Sequence, residues 1–262
     1  MMKSQQRKEQ KRRLLIRAFE STAALLLALL VWQLAAMKIG EQILLPTPLS
    51  VLQRLSTALA ERDFLETLLY SLTRIAGGFF CGFLLGILLA ALAAASHTVE
   101  VLLRPYLFTI KSVPVASFIV LALVWLSSAH LSLFISFLMV LPIVYTNVLE
   151  GIRHTDKGLL EMAEVYRLGF GRRVAYLYVP SVKPYLLAAC RVSLGLAWKA
   201  GIAAEIIGIP DGSLGMKLYI AKLWMETDAL LAYTVIIVLA SIAFEKLVLF
   251  CMKMIFRLWE RL

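Results

Sequence analysis

Apolar residues along this chain gather into long runs with few charges inside them, and polar residues gather between the runs. A helix that crosses the hydrocarbon core of a bilayer needs about 20 mainly apolar residues. The pattern offers six such stretches, at about 19–37, 67–95, 103–126, 131–149, 185–207 and 229–250. Within the second, Gly78, Gly82 and Gly86 recur every four residues, so they share one helix face and permit close approach of another helix. Pro46 and Pro48 break the chain after the first run and precede a short amphipathic stretch. Lys111 and Pro114 interrupt the third run, and the fourth holds Pro142. Pro114 is read as a kink, with a broken helix as the alternative. No soluble domain, low-complexity tract or internal repeat is found. The pattern predicts an all-α polytopic membrane protein with about six transmembrane helices.

Composition agrees, since 61% of the 262 residues are hydrophobic and only 17% are charged. The formal net charge of +10 would suggest nucleic acid in a soluble protein; here it reflects Lys and Arg kept in cytoplasmic segments, and no nucleic-acid partner is expected. Residues 1–17 hold seven basic residues and one acidic one ahead of the first apolar run, and no A-x-A-like cleavage site follows LLLALLVWQLAAM. This start is read as an uncleaved first span with its amino end inside. Segment 150–184 carries Arg153, Lys157, Arg167, Arg172, Arg173 and Lys183, and the end of the chain adds Lys253, Arg257 and Arg261. In segments 38–66 and 208–228 acidic residues match or exceed the basic ones. Both termini and the 150–184 loop are therefore placed on the cytoplasmic side of the membrane. The chain divides into a basic tail (1–18), a first transmembrane helix with its outer linker (19–63), a transmembrane body (64–250) and a cytoplasmic tail (251–262). Cys81, Cys190 and Cys251 all lie in apolar runs and read as small apolar side chains rather than a disulfide framework.

The 150–184 loop contains EMAEVYRLGFGRRVAYLYVP, residues 161–180. Glu161, Met162, Ala163 and Glu164 favour a helix, with acidic residues suited to its first turn. Gly169 and Gly171 supply a break, and an apolar-rich segment resumes before Pro180 and Pro184. The result is helix, turn, helix, exposing Tyr and Arg side chains that suit docking by another protein. The bland reading is a connector held at the lipid headgroups.

These residues resemble the EAA loop of ABC-importer permeases, with Glu161, Ala163, Leu177, Val179 and Pro180 at matching positions. The rest of the chain from about 44 to 250 is similar to permeases of the nitrate, sulfonate and taurine group, through LPTP at 45–48, SLTRIAGGFFCGFLLG at 71–86, KSVPVASF at 111–118 and GLAWKAGIAAEIIGIPDGSLG at 195–215. The resemblance implies the type I ABC importer permease fold and a permease subunit that forms the path for a small solute: nitrate, a sulfonate, taurine or a similar anion. A thiamine precursor or other small heterocycle is the alternative cargo. It also implies a homodimer, two cytoplasmic ABC ATPase subunits that bind ATP and Mg, and an extracytoplasmic substrate-binding protein or lipoprotein. The permease itself would bind no cofactor and catalyse nothing. In the coupling loop the resemblance singles out Glu161, Ala163, Glu164, Arg167, Gly169, Gly171 and Pro180. There are two departures. The family's Gly, six residues after the Glu, is Arg167 here, so the coupling turn is expected to be shifted or differently shaped. The family's Trp-Phe-Gly near the end of span three reads Trp125, Leu126, Ser127.

Ionisable residues at helix centres cost about 2.5–3.5 kcal/mol on insertion scales, so each needs a reason. Arg74 and Arg191 lie close enough to span ends to snorkel. Lys199 lies some fourteen residues into span five, about 21 Å along a helix. It either lines a polar pathway or pairs with a carboxylate on another span. Glu205, near the outer end, is about 240° away around the helix and is a poor partner for it. Lys199, Glu205 and Lys111 are the candidates for a translocation path. Trp198, Gly195 and Gly201 read as packing residues, and Asn147 stays open between packing and pathway. An intramembrane enzyme would need a catalytic constellation, but the chain has no H-E-x-x-H or G-x-S-x-G, and His97, His130 and His154 sit at span edges or in loops. An ion-coupled secondary transporter would show paired broken helices and a midplane carboxylate. The chain also lacks a G-x-x-x-x-G-K-[ST] loop, so the energy for transport would come from a partner.

Overall fold

The computed structural model describes residues 2–259, with the backbone alone for 2–18 and 21. Among the described residues every regular element is helical. Two compact units emerge, one of residues 1–61 and 221–235, the other of 62–220 and 236–262.

The first unit opens with α1 (Met2–Ile39). The backbone of the expected basic tail at 2–18 is helical and continuous with the first span; its side-chain charges lie outside the described residues. Leu25, Leu26, Leu27, Leu30, Val31 and Leu34 are exposed, a surface suited to lipid. The indole Nε1–H of Trp32 donates to the Pro46 carbonyl at 3.1 Å and fixes the bend that follows. Thr47 then caps α2 (Pro48–Leu59), its hydroxyl accepting from the Ser50 N–H, with Pro48 at the helix start where its missing donor costs nothing. Arg54 pairs with Glu226 at 2.9 Å, and the Tyr233 hydroxyl donates to Glu61. Residues 221–235 thus pack with the amino-terminal unit, although the sequence assigned them to the transmembrane body.

The second unit is built on α3 (Phe64–Ala95), α6 (Ser128–Arg153) and α9 (Val179–Gly208). Lipid tails are as apolar as leucine, so close packing rather than the hydrophobic effect holds such helices together. The glycine stripe of α3 meets α6. A Cβ added to Gly82 would lie 2.8 Å from the Phe137 carbonyl oxygen, and one on Gly86 would lie 2.9 Å from Val144 Cβ. Gly78 is tighter still, abutting Leu133 and Ser136. On the other side of α6, the Ser136 hydroxyl donates to the Ala197 carbonyl of α9 at 3.0 Å, and Gly201 leaves room for Ile75 and Ser136. α6 is therefore the central helix. Trp198 is buried and packs its ring against Phe244, as expected of a packing residue. Gly195 corrects that expectation, since nothing lies within 4 Å of where its Cβ would be.

Between α3 and α6 the third apolar run is two helices, α4 (His97–Ser112) and α5 (Val115–Ala122), meeting at 102°. Pro114 is thus a break and not a kink. Pro cannot supply an N–H and disfavours helical geometry in the residue before it, and Val113 is extended with ψ 132°. Among the described residues five helices are long and apolar enough to span a membrane, or six when α4 and α5 count as one broken span. After α9 come α10 (Leu214–Leu223) and α11 (Thr227–Trp259). The helix continues to Trp259 through the expected tail at 251–262, and 260–262, with Arg261, lie outside the described residues. Apolar residues such as Ile255 and Leu258 among the basic ones let the helical pattern persist.

Candidate functional site

Between α6 and α9 the chain leaves the bundle. Asp156 caps the helix that follows, its Oδ1 accepting from the N–H groups of Gly158 at 2.7 Å and Leu159 at 3.3 Å. That helix, α7 (Lys157–Val165), opens four residues before Glu161. The start expected at Glu161 is corrected accordingly: Glu161 and Glu164 lie beyond the first turn and are exposed. Ala163 is fully buried, so α7 turns this edge inward.

Arg167 then adopts φ 51°, the left-handed region that disfavours residues with a Cβ. Its N–H donates to the Glu164 carbonyl and the Leu168 N–H to the Ala163 carbonyl, both at 2.9 Å. These are the two bonds of a Schellman helix end, whose left-handed position usually holds glycine. The family-pattern Gly falls at 167, so the expectation of a shifted turn is corrected: the turn is in place, and Arg167 takes it. Arg173 Nε–H donates to the Leu168 carbonyl at 2.9 Å and fastens the far side. Gly169 and Gly171 do not supply the break. Gly169 caps α8 (Phe170–Arg173) at φ −61°, Gly171 lies within α8, and a Cβ on either would meet nothing within 4 Å.

Pro180 does not close the segment. Val174–Tyr178 form one π turn, with the Val179 N–H reaching back to the Val174 carbonyl, and the chain is helical from Phe170 to Gly208. A proline within a helix lacks a donor and crowds the carbonyl four residues back; the wider turn directly ahead relieves this crowding. The Ser181 hydroxyl donates to the Leu177 carbonyl at 2.8 Å.

The loop is stapled to the bundle and bare on its other side. Arg153, at the end of α6, pairs with Glu100 of α4 at 2.5 Å. Val165, Tyr166 and Phe170 are 79%, 73% and 82% exposed. Large apolar side chains so exposed lie among Lys157, Glu161, Glu164, Arg167 and Arg172, the composition that suits docking by a protein.

The candidate intramembrane charges separate into different settings. Lys199 is exposed on α9 beside the open Gly195, and it has no ion-pair partner among the described residues. The alternative of a carboxylate partner on another span finds none among the described residues. Lys111 is exposed on α4, and its Nζ donates to the Thr146 hydroxyl of α6 at 2.7 Å; that hydroxyl in turn donates to the Pro142 carbonyl at 2.6 Å. Glu205 is fully buried within the chain. Its Oε2 accepts from the Ser71 hydroxyl at 2.7 Å and from the Gly215 N–H at 3.2 Å, and Ser71 Oγ accepts from the Leu214 N–H at 2.9 Å. Glu205 therefore anchors the start of α10 to α3 and faces no open surface of the single chain. Arg74 lies over the Tyr70 ring, 5.1 Å from its centre. Asn147 bonds its own helix, donating to the Ile143 carbonyl at 2.8 Å.

The sequence profile of the binding-protein-dependent transport system inner membrane component family matches residues 82–260. The chain belongs to that family. The permease is 28% identical to the aliphatic sulfonates transport permease protein SsuC of Bacillus subtilis, over 79% of this chain and 75% of that one. It is also 28% identical to the taurine transport system permease protein TauC of Escherichia coli, over 81% and 78%. With the formylaminopyrimidine transport permease protein ThiX of Halalkalibacterium halodurans the identity is 27%, over 74% and 78%. Among solved structures, a chain of an amino acid ABC transporter crystallised with histidines superposes with TM-score 0.61 at 18% identity, over 76% of this chain and 97% of that one; the likeness establishes the fold. The permease is thus a transport subunit of an ABC importer and not an enzyme, a multi-pass protein of the cytoplasmic membrane that works with an ATPase and a substrate-binding protein. Membership removes the intramembrane-enzyme and ion-coupled rivals.

Several working residues of the permease escaped the sequence reading. Asp156 had a signal, an Asp just before a helix-forming run. Ser71, and its pairing with Glu205, had none, the two being 134 residues apart. The partly buried Lys217 and the exposed Asp63 form an ion pair at 2.8 Å, and the hydrogen bond from Lys217 holds the Asp63 carboxyl below the usual carboxylate range.

Proposed function

We propose that this permease imports a small anion as a homodimer whose path runs along the bare face of α9. The α7–α8 surface seats in the ATPase, which binds ATP and Mg; both termini and this loop lie in the cytoplasm, and the binding protein delivers cargo at the opposite end. The observation that carries the anion is Lys199. It stands nine residues before the end of α9 at Gly208, about 14 Å along the helix and so near the middle of a hydrocarbon core about 30 Å thick. An exposed, unpaired ammonium at that depth is costly against lipid. A second copy packed against this face would leave it lining a shared aqueous route. The names of SsuC and TauC support a sulfonate-like cargo, and that of ThiX supports a formylaminopyrimidine as the second reading.

The test is ATP-driven uptake by the intact importer in proteoliposomes, with its binding protein, of labelled taurine, methanesulfonate, nitrate, bicarbonate and formylaminopyrimidine. At least one anion is expected to accumulate. Lys199→Gln should lower that uptake on the order of tenfold while the ATPase still copurifies. Accumulation of the pyrimidine alone would replace the anion reading. In the companion experiment, Glu161→Ala with Arg167→Glu should lose the ATPase on copurification while remaining folded.

A further inference from the structure

A cleft of about 360 Å³ opens between α4 and α6, lined among others by Glu100, Arg104, Lys111, Tyr145 and Thr146. Its charge is unbalanced. Glu100 is the one carboxylate in the lining, and Arg153 takes it up at 2.5 Å. Arg104 has no ion-pair partner among the described residues, and Lys111 bonds only the neutral Thr146 hydroxyl. Because Thr146 gives its proton to the Pro142 carbonyl, it can only accept from Lys111, and the ammonium keeps two N–H donors for another acceptor. Arg104 and Lys111 are seven residues apart on α4, within about 20° of one another around the helix. They therefore form one cationic stripe, with Thr146 about 10 Å along α6 from Arg153 at the loop end. Lys111 stands two residues before the break at Val113 and Pro114, so the stripe leads from the broken corner towards that end.

We propose that this cleft is a subsite for a singly charged oxyanion head, held by Lys111 and Arg104 as a free solute passes towards the cytoplasm. The inference rests on the anion reading above and adds to it a second pair of cationic contacts, apart from Lys199. Two cations over one compensated carboxylate match a sulfonate, carboxylate or bicarbonate group, and charge-assisted hydrogen bonds to such oxygens are the strong ones. The phosphate of an anionic lipid offers the same chemistry, so the two sources must be separated.

The probe is trifluoromethanesulfonate, whose fluorine resonance broadens on binding, added to the full-length permease in phosphatidylcholine nanodiscs. Saturable broadening is expected, with affinity on the order of tenfold weaker in Arg104→Gln and in Lys111→Gln. Lys111→Arg should restore it, and Lys222→Gln, on α10, should leave it unchanged. Elution of each variant as the wild-type species controls for folding. Unchanged broadening in both glutamine variants would overturn the subsite, whatever the importer carries. A second arm uses phosphatidylglycerol nanodiscs at 0.15 M salt, where surface charge is screened over about 8 Å. Retained binding there supports a free solute, and loss confined to these nanodiscs assigns the cleft to lipid and overturns the passage of solute. Uptake of a neutral pyrimidine and of no anion would overturn the anion reading of the path instead, and the triflate result would then stand on its own.

Discussion

The glycine stripe of α3 and the turn at the end of α7 treat glycine in opposite ways. In the stripe, Gly78, Gly82 and Gly86 hold ordinary helical backbone, and what requires glycine is the neighbour: the carbonyls and side chains of α6 occupy the space a Cβ would take. In the turn the neighbour is absent, and what favours glycine is the backbone itself, at φ 51°; yet the residue there is Arg167. The lesson is about which constraint can be overridden. A left-handed residue costs roughly 1–2 kcal/mol, which the two Schellman bonds and the Arg173 clasp hold in place. Overlap with a packed helix backbone has no such remedy, since neither helix can move without losing the rest of the interface.

The largest effect that would break this comparison is on the stripe. Gly82→Leu is expected to destabilise the permease by about 3 kcal/mol or more and to aggregate on size exclusion in mild detergent. Gly169→Ala, in open space, should stay within about 0.5 kcal/mol of wild type by thermal unfolding. If both variants behave alike, close approach is not what selects glycine in α3. A smaller and opposite effect is expected in the turn. Arg167→Gly should stabilise it by about 1 kcal/mol, seen as slower hydrogen exchange at the Leu168 amide with the ATPase still bound. Faster exchange would mean that Arg167 holds the turn through its side chain.

The smallest effect concerns the Asp63–Lys217 bridge. Its hydrogen bond lowers the carboxyl's folded value, so the folded state binds fewer protons than the unfolded one. The bridge therefore contributes above the ordinary Asp value of about 3.9 and is lost as pH falls through the lowered one. Protection of the α10 amides, taken relative to their intrinsic exchange rates, should fall slightly on acidification below about pH 4, and Asp63→Asn should remove that dependence.

Much of this architecture was legible because it is written locally. Span placement follows from runs of apolar residues, and the stripe from spacing by four. The docking loop was legible as a region but not in its joints. Arg167 carries no mark of a left-handed residue, and Gly169 and Gly171 beside it drew the expected break to themselves. Pro114 was ambiguous for a physical reason: the same missing donor permits a kink or a 102° corner. Glu205 looked like a pathway residue because a carboxylate in an apolar run usually has a function. Its partners, Ser71 and the Leu214–Gly215 backbone, come together only when α3, α9 and α10 do. Arg104 and Thr146 passed unnoticed because neither is unusual until α4 and α6 face one another.

The unbroken helical run from Phe170 to Gly208 has a mechanical consequence. Its 39 residues amount to about 58 Å of contour, nearly twice the hydrocarbon thickness. One end carries the exposed Phe170 ring and the other carries the carboxylate that pins α10, so both are fixed to the same lever. For a straight lever, a tilt of about 5° around its midpoint would swing each end by roughly 2.5 Å, in opposite directions. The π turn at Val174–Tyr178 and Pro184, inside α9, interrupt the regular ladder of that lever, and their stiffness would set how much of a push at Phe170 arrives at Glu205.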